Sequence, residues 1–148
     1  MGPIVKLCRC AIAILDRTPY SLLAIVLRAA LIPVFWNSAI TKLKDWPAAV
    51  SLFSSDFMLP SILPPEPVAV LATGVELATS VMLLLGLGTR GAAAVLLGMT
   101  AFIEIFVFPE AWPIHIQWAA MLLVLLCRGA GRVSLDYPIA RWLAANNP

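Results

Sequence analysis

The sequence predicts an all-α fold: a four-helix transmembrane bundle, N-in and C-in, with a C-terminal amphipathic segment. Three observations carry that expectation. Of 148 residues, 61% are apolar and 12% are charged, where a soluble domain usually carries about 25% charged residues. The mean hydropathy is +0.95. Several apolar runs reach the roughly 20 residues that a helix needs to cross a hydrocarbon core of about 30 Å. The runs are continuous rather than alternating, which argues against a barrel, and in lipid each must satisfy its own backbone hydrogen bonds as a helix.

In chain order, residues 1–19 mix apolar side chains with Lys6, Arg9, Asp16 and Arg17, the pattern of a cytoplasmic or interfacial segment. The first span runs from Tyr20 to Leu43 and contains Arg28 and Pro33. Residues 44–67 form the longest loop, with Asp45, Asp56, Glu66 and the helix breakers Pro60, Pro64, Pro65 and Pro67. Its Trp46, Phe53, Phe57, Met58 and Leu59 are expected to pack along the bundle or the membrane surface. The second span is Val68 to Leu87, with Glu76 near its middle, and Gly86 to Arg90 make a short turn. The third span, Gly91 to Phe108, leads into Pro109–Pro113, whose aromatic surroundings suit an interfacial belt. The fourth span, Ile114 to Cys127, is short, and Trp112 and Arg128 extend it to the interfaces. Residues 20–128 are thus the membrane domain and 129–148 a cytoplasmic tail. In that tail Ser134 or Asp136 can cap a helix with Pro138 near its first turn, and Arg141 and Trp142 suit the membrane surface.

Lys and Arg set the orientation. With the N-terminus inside, the inner side holds Lys6, Arg9, Arg17, Arg90, Arg128, Arg132 and Arg141, and the outer side only Lys42 and Lys44. The positive-inside rule then places both termini in the cytoplasm. A net charge of +2 without a long Lys/Arg run points away from nucleic acid. Cys8, Cys10 and Cys127 are too few and too oddly placed for a disulfide framework, and read as free thiols. The N-terminus does not read as a cleaved signal peptide, because the apolar stretch that follows is of spanning length. A single histidine, His115, excludes bis-histidine haem within one chain.

Charges inside the hydrocarbon region mark where function should be sought, since each costs about 2.5–3.5 kcal/mol at the centre of a helix. Arg28 lies about 12 Å into its span at 1.5 Å per residue, and Glu76 lies at similar depth counted from the inner end. A pair between them is geometrically plausible, as a structural clasp or as the wall of a polar pocket for a quinone, a substrate head group or a proton path. Arg28, Phe35 and Lys42 share one face of the first span, and Thr73, Glu76 and Thr79 share one of the second. Facing stripes of this kind create a crevice suited to a ligand. Lys42 also has an ordinary reading as a snorkelling interfacial lysine. A second constellation, Glu104, Glu110 and His115, faces outward. It fits a metal site at Glu104 and His115, a proton relay to a bound quinone, or a hydrogen-bonded anchor. Met82, Met99 and Met121 read as core packing. Gly and Ala residues around Gly91 to Gly98 allow close helix contact within or between chains, so a homo-oligomer stays open.

Several short motifs resemble DoxX-like membrane proteins. They are Leu27-Arg28, Asn37-Ser38-Ala39-Ile40-Thr41-Lys42-Leu43, Gly74-Val75-Glu76-Leu77, Leu85-Gly86-Leu87-Gly88-Thr89-Arg90 and Gly129-Ala130-Gly131-Arg132-Val133-Ser134-Leu135-Asp136, in order over most of the chain. Asn37 departs from the family, which commonly has Gly there. The resemblance implies a four-helix membrane fold in a bacterial-type inner (plasma) membrane, and an association with redox chemistry. Some relatives are the membrane subunit of thiosulfate:quinone oxidoreductase, and others work beside superoxide dismutase and a sulfurtransferase in oxidative-stress defence. The stretches Phe102–Glu110 and His115–Trp118 also look like a subgroup often encoded beside enzymes that modify cysteine-rich, metal-binding peptides. The resemblance favours Arg28, Lys42, Glu76 and Arg132 as sites, with Arg28, Glu76 and Arg132 toward a cofactor such as a quinone. The leading expectation is a redox-linked membrane subunit exchanging electrons with the quinone pool through a protein partner. The alternatives are an accessory protein in copper handling or in maturation and export of a metal-binding peptide, and a small transporter.

Overall fold

A computed structural model describes residues 2–55 and 64–146, and the elements among them are helical. In chain order these are α1 (Pro3–Asp16), α2 (Tyr20–Lys44), α3 (Trp46–Ser55), α4 (Pro65–Leu85), α5 (Thr89–Phe106), a 3₁₀ turn (Pro109–Ala111), α6 (Trp112–Arg128) and α7 (Asp136–Asn146). Four helical segments are long and apolar enough to cross a membrane: α2, α4, α5, and α6 together with its 3₁₀ turn. This is a multi-pass membrane protein.

Two expectations about the loop are corrected. Residues 46–55 are a helix, because Asp45 accepts a hydrogen bond from the Ala48 N–H at 3.2 Å and Pro47 sits in the first turn, where its missing N–H does no harm. α3 packs on α4 and α2 and buries Ala49 and Phe53. Pro65 and Pro67 do not break a helix but begin α4, for the same reason. Asp56, Phe57, Met58, Leu59 and Pro60 lie outside the described residues. The fourth span is also longer than expected, since Trp112 and Arg128 belong to α6 itself.

α2 packs most extensively on α4, and α5 on α6; α4 against α5 and α2 against α6 close the bundle. Leu31, Leu83, Leu96, Leu122 and Leu125 are fully buried and form a continuous apolar layer with Ala24, Ala92 and Ala93. Leu22, Val26, Leu71, Leu84, Ile105 and Leu123 are exposed and face lipid. Because lipid tails are as apolar as leucine, such a layer gains van der Waals packing rather than hydrophobic burial, so polar contacts weigh more in fixing the helices. Close packing of α5 comes from Ala92 and Ala93; Gly91 and Gly98 point into open space.

One end of the bundle is closed by a clasp. α4 ends in a Schellman motif: Leu87 N–H donates to the Met82 carbonyl (2.9 Å), Gly86 N–H to that of Leu83 (3.2 Å), and Gly86 is left-handed at φ 64°. Residues 129–136 fold back over this turn. Leu135 N–H donates to the Leu85 carbonyl (3.2 Å) and Asp136 N–H to that of Gly86 (2.9 Å). The Asp136 carboxylate accepts from Gly88 N–H (2.6 Å) and Thr89 N–H (3.0 Å), satisfying two donors that the start of α5 leaves free. The expected capping of α7 is corrected accordingly: the carboxylate of Asp136 serves α5, and the Ser134 hydroxyl donates to the Gly131 carbonyl (2.6 Å). Tyr20 OH donates to the Gly129 carbonyl (2.7 Å) and Arg132 N–H to Ser21 Oγ (2.9 Å).

A Cβ at Gly86 would lie 2.5 Å from Ser134 Cβ and 2.6 Å from Arg28 Nη1. Left-handed alanine costs about 1–2 kcal/mol and overpacking typically about 1–3 kcal/mol. Gly86→Ala is therefore expected to destabilise the protein by about 2–4 kcal/mol, measured by thermal unfolding in detergent. A variant as stable as the parent would show that the clasp yields freely.

Candidate functional site

The polar side chains of the spans sort to opposite ends. Arg28, 8% exposed, points into the clasp. Its Nη1 donates to the carbonyls of Val133 (3.0 Å) and Ala130 (3.4 Å), and its Nη2 to that of Leu84 (3.4 Å). The Leu84 carbonyl belongs to the last turn of α4, where carbonyls lack helical partners and the helix dipole is negative. Arg28 thus makes its hydrogen bonds to backbone oxygens rather than to a carboxylate.

The Arg28–Glu76 pair is corrected. α2 and α4 run antiparallel with Arg28 level with Leu84 and Ser38 level with Glu76. Ten residues of α2 separate the two heights, about 15 Å of helix. Equal depth assumed that the spans begin and end in one plane. The first turn of α2 instead lies beyond the end of α4, alongside the Gly129–Arg132 turn.

Glu76 pairs with Lys42. The ammonium donates to both carboxylate oxygens at 2.8 Å and to Ser38 Oγ at 2.8 Å, and Ser38 donates in turn to Glu76 Oε1 at 3.1 Å. The side chains are 14% and 4% exposed. Lys42 therefore turns into the bundle rather than snorkelling outward. Ser38 was not singled out from the sequence; its place one turn before Lys42 was the available signal.

The outward constellation comes together in part. His115 Nδ1 and Glu104 Oε2 are hydrogen-bonded at 2.6 Å, with side chains 10% and 12% exposed. Glu110 lies exposed in the 3₁₀ turn. Arg132 is exposed on the clasp, at the other end of the bundle. Among the described residues no three His, Cys, Asp or Glu gather in one place.

The Lys42–Glu76 pair and His115 meet one cavity of about 400 Å³, lined also by Ser38 and walled by Phe35, Phe53 and Trp118. Trp118 stacks edge-on to Phe35, with ring centroids 5.9 Å apart, and lies 5.1 Å from His115. Thr100 also lines it; its hydroxyl is buried without a hydrogen-bond partner. A second cavity of about 320 Å³, lined wholly by apolar side chains of α3, α4 and α5, shares Phe53, Met99 and Ile103 with the first. It opens on the lipid side past Leu71 and Phe102, both exposed. The site is thus a largely apolar chamber with a few polar groups, joined to a wholly apolar groove. It lies on the far side of the leucine layer from Arg28.

A model of the DoxX family matches residues 23–109, more than half of the chain. The chain belongs to the DoxX family. No curated protein and no solved structure matches it. In this DoxX protein the matched stretch contains Arg28, Ser38, Lys42, Glu76, Thr100 and Glu104, and ends before His115 and the residues 129–136 that fold back over the α4 turn.

Proposed function

We propose that this DoxX protein is a redox-linked membrane subunit that takes a quinone-type amphipath from the bilayer and supplies protons to its ring. The observation that carries the reading is one chamber lined by Lys42, Glu76, His115 and the unpartnered Thr100 hydroxyl, with Glu104 bonded to His115 from behind. Buried charges are costly in a membrane, and ligand pockets combine apolar walls with a few convergent polar groups. The residues fit a flat ring with two carbonyl oxygens. Thr100 of α5 offers an unpartnered hydroxyl, Lys42 and Ser38 of α2 hold their protons on Glu76 and turn from it to meet a carbonyl oxygen, and His115 of α6, fixed by Glu104, offers an exchangeable proton. Phe35, Phe53 and Trp118 provide flat apolar surface. The adjoining groove between α4 and α5 accepts an apolar tail, so the ligand enters sideways from lipid. A bound quinone would supply two-electron chemistry, with the electrons delivered by a partner subunit. The chain binds and orients the ring, excludes water and holds the protons. Positive charge gathers at the clasp end, which supports cytoplasmic termini and an outward-facing chamber in a bacterial-type inner membrane.

Two other readings are less well supported. A metal site at Glu104 and His115 has only two donors, and they are bonded to each other rather than splayed around an ion. A transport path through one chain would have to breach the leucine layer.

The test is titration of the detergent-purified protein with a short-chain quinone, read by Trp118 fluorescence against a Trp118→Phe control, with quinone extraction from the same preparation. Saturable quenching is expected. His115→Ala, which removes the proton donor and leaves the Lys42 side intact, is expected to weaken binding about tenfold, a loss of about 1.4 kcal/mol. Absence of quenching and of extractable quinone, with normal quinone reduction in a deletion strain, would overturn the reading.

A further inference from the structure

A second site lies at the clasp end. A groove of about 500 Å³ runs between the Gly88 turn, the Gly129 turn and α7, and both Arg90 and Arg128 line it. The Arg128 guanidinium sits 4.4 Å above the Tyr20 ring. Arg90 Nε lies 3.5 Å from the point where a Cβ on Gly129 would be, so both cations converge on one turn. Among the described residues neither has a carboxylate partner. The carboxylate that lines the groove, Asp136, is already hydrogen-bonded to Gly88 and Thr89. Two guanidiniums and one carboxylate leave the groove with an excess positive charge, and an anion bound beside the arginines offsets it.

The opposite wall is apolar. α7 contributes Ile139 and Leu143 to the groove, and none of its described residues is buried. Ile139, Trp142 and Leu143 are 45%, 65% and 48% exposed. A helix of this kind lies in the interface with its apolar side among acyl chains. An anion-binding pair of guanidiniums beside an acyl-chain surface matches one ligand chemistry, a phosphodiester attached to a lipid. Arg binds phosphate oxygens bidentately, and basic pockets between spans recognise anionic head groups.

We propose that the Arg90–Arg128 groove binds the phosphate head group of an anionic phospholipid, independently of the chamber at the other end. Native mass spectrometry of the full chain in detergent tests this, with phosphatidylglycerol and zwitterionic phosphatidylcholine as probes. Phosphatidylglycerol is expected to be retained at least tenfold better than phosphatidylcholine. Arg90→Gln/Arg128→Gln should abolish that preference, and Lys6→Gln/Arg17→Gln, which removes equal charge from the N-terminal segment, should leave it. Ala140→Trp fills the groove with both arginines intact, and is expected to displace the lipid even if the double variant folds poorly. Equal retention of the two lipids, or equal loss in the two double variants, would overturn the site. Displacement of phosphatidylglycerol by millimolar inorganic phosphate would reassign it to a free anion and overturn the lipid proposal.

Discussion

Glu76→Ala is expected to destabilise the protein by about 2–4 kcal/mol, because it leaves Lys42 charged, largely buried and without its carboxylate. The ammonium points at a site that is 4% exposed, and its remaining acceptor, Ser38, is neutral. Removing both charges together as Lys42→Met/Glu76→Leu should recover most of that loss, since a buried ion pair adds little stability over apolar residues of similar volume. The comparison separates structure from function. The double variant is expected to unfold near the parent temperature and to lose quinone quenching. Full quenching in a stable double variant would show that the pair is only a structural clasp. A Glu76→Ala protein as stable as the parent would show that water reaches Lys42 freely.

Arg28→Leu is the second large effect. Its guanidinium holds carbonyls of residues 84, 130 and 133, and a buried acceptor left unsatisfied costs about 1–3 kcal/mol. With three acceptors and partial relaxation, a loss of about 3–5 kcal/mol is expected in thermal unfolding. Hydrogen exchange should localise the change. The amides of Leu135 and Asp136, bonded to α4, should lose protection, and those of Ile103 to Phe106 should not. Arg28→Lys should fall between, since one ammonium cannot reproduce the guanidinium fork. Uniform deprotection of every span would place Arg28 in the global core rather than the clasp.

The four spans were legible because length and hydropathy are read from consecutive residues. The Glu104–His115 contact was half legible, as the two flank one turn and had been grouped with Glu110. The partners of Arg28 and Glu76 were not legible. Their assignment depends on how far α2 slides past α4, and hydropathy sets span centres more firmly than relative heights. The slide is set by Tyr20, Ser21 and Arg28 gripping residues 129–133, more than a hundred residues later. α3 was missed although its signals were present in Asp45 and Pro47. The prolines that follow drew the whole segment into one loop.

The Arg28 contacts also have a consequence in time. A chain is synthesised from its N-terminus at about 5–20 residues per second, and Arg28 enters the membrane with the first span. Its partners at Ala130 and Val133 are 102 and 105 residues away along the chain, so they arrive roughly 5–20 seconds later. Lys42 waits only 34 residues for Glu76. During biogenesis the guanidinium of the first span therefore gains its acceptor on Leu84, 56 residues on, well before those on Ala130 and Val133, and a ribosome-stalled or truncated product ending before residue 130 never completes the clasp.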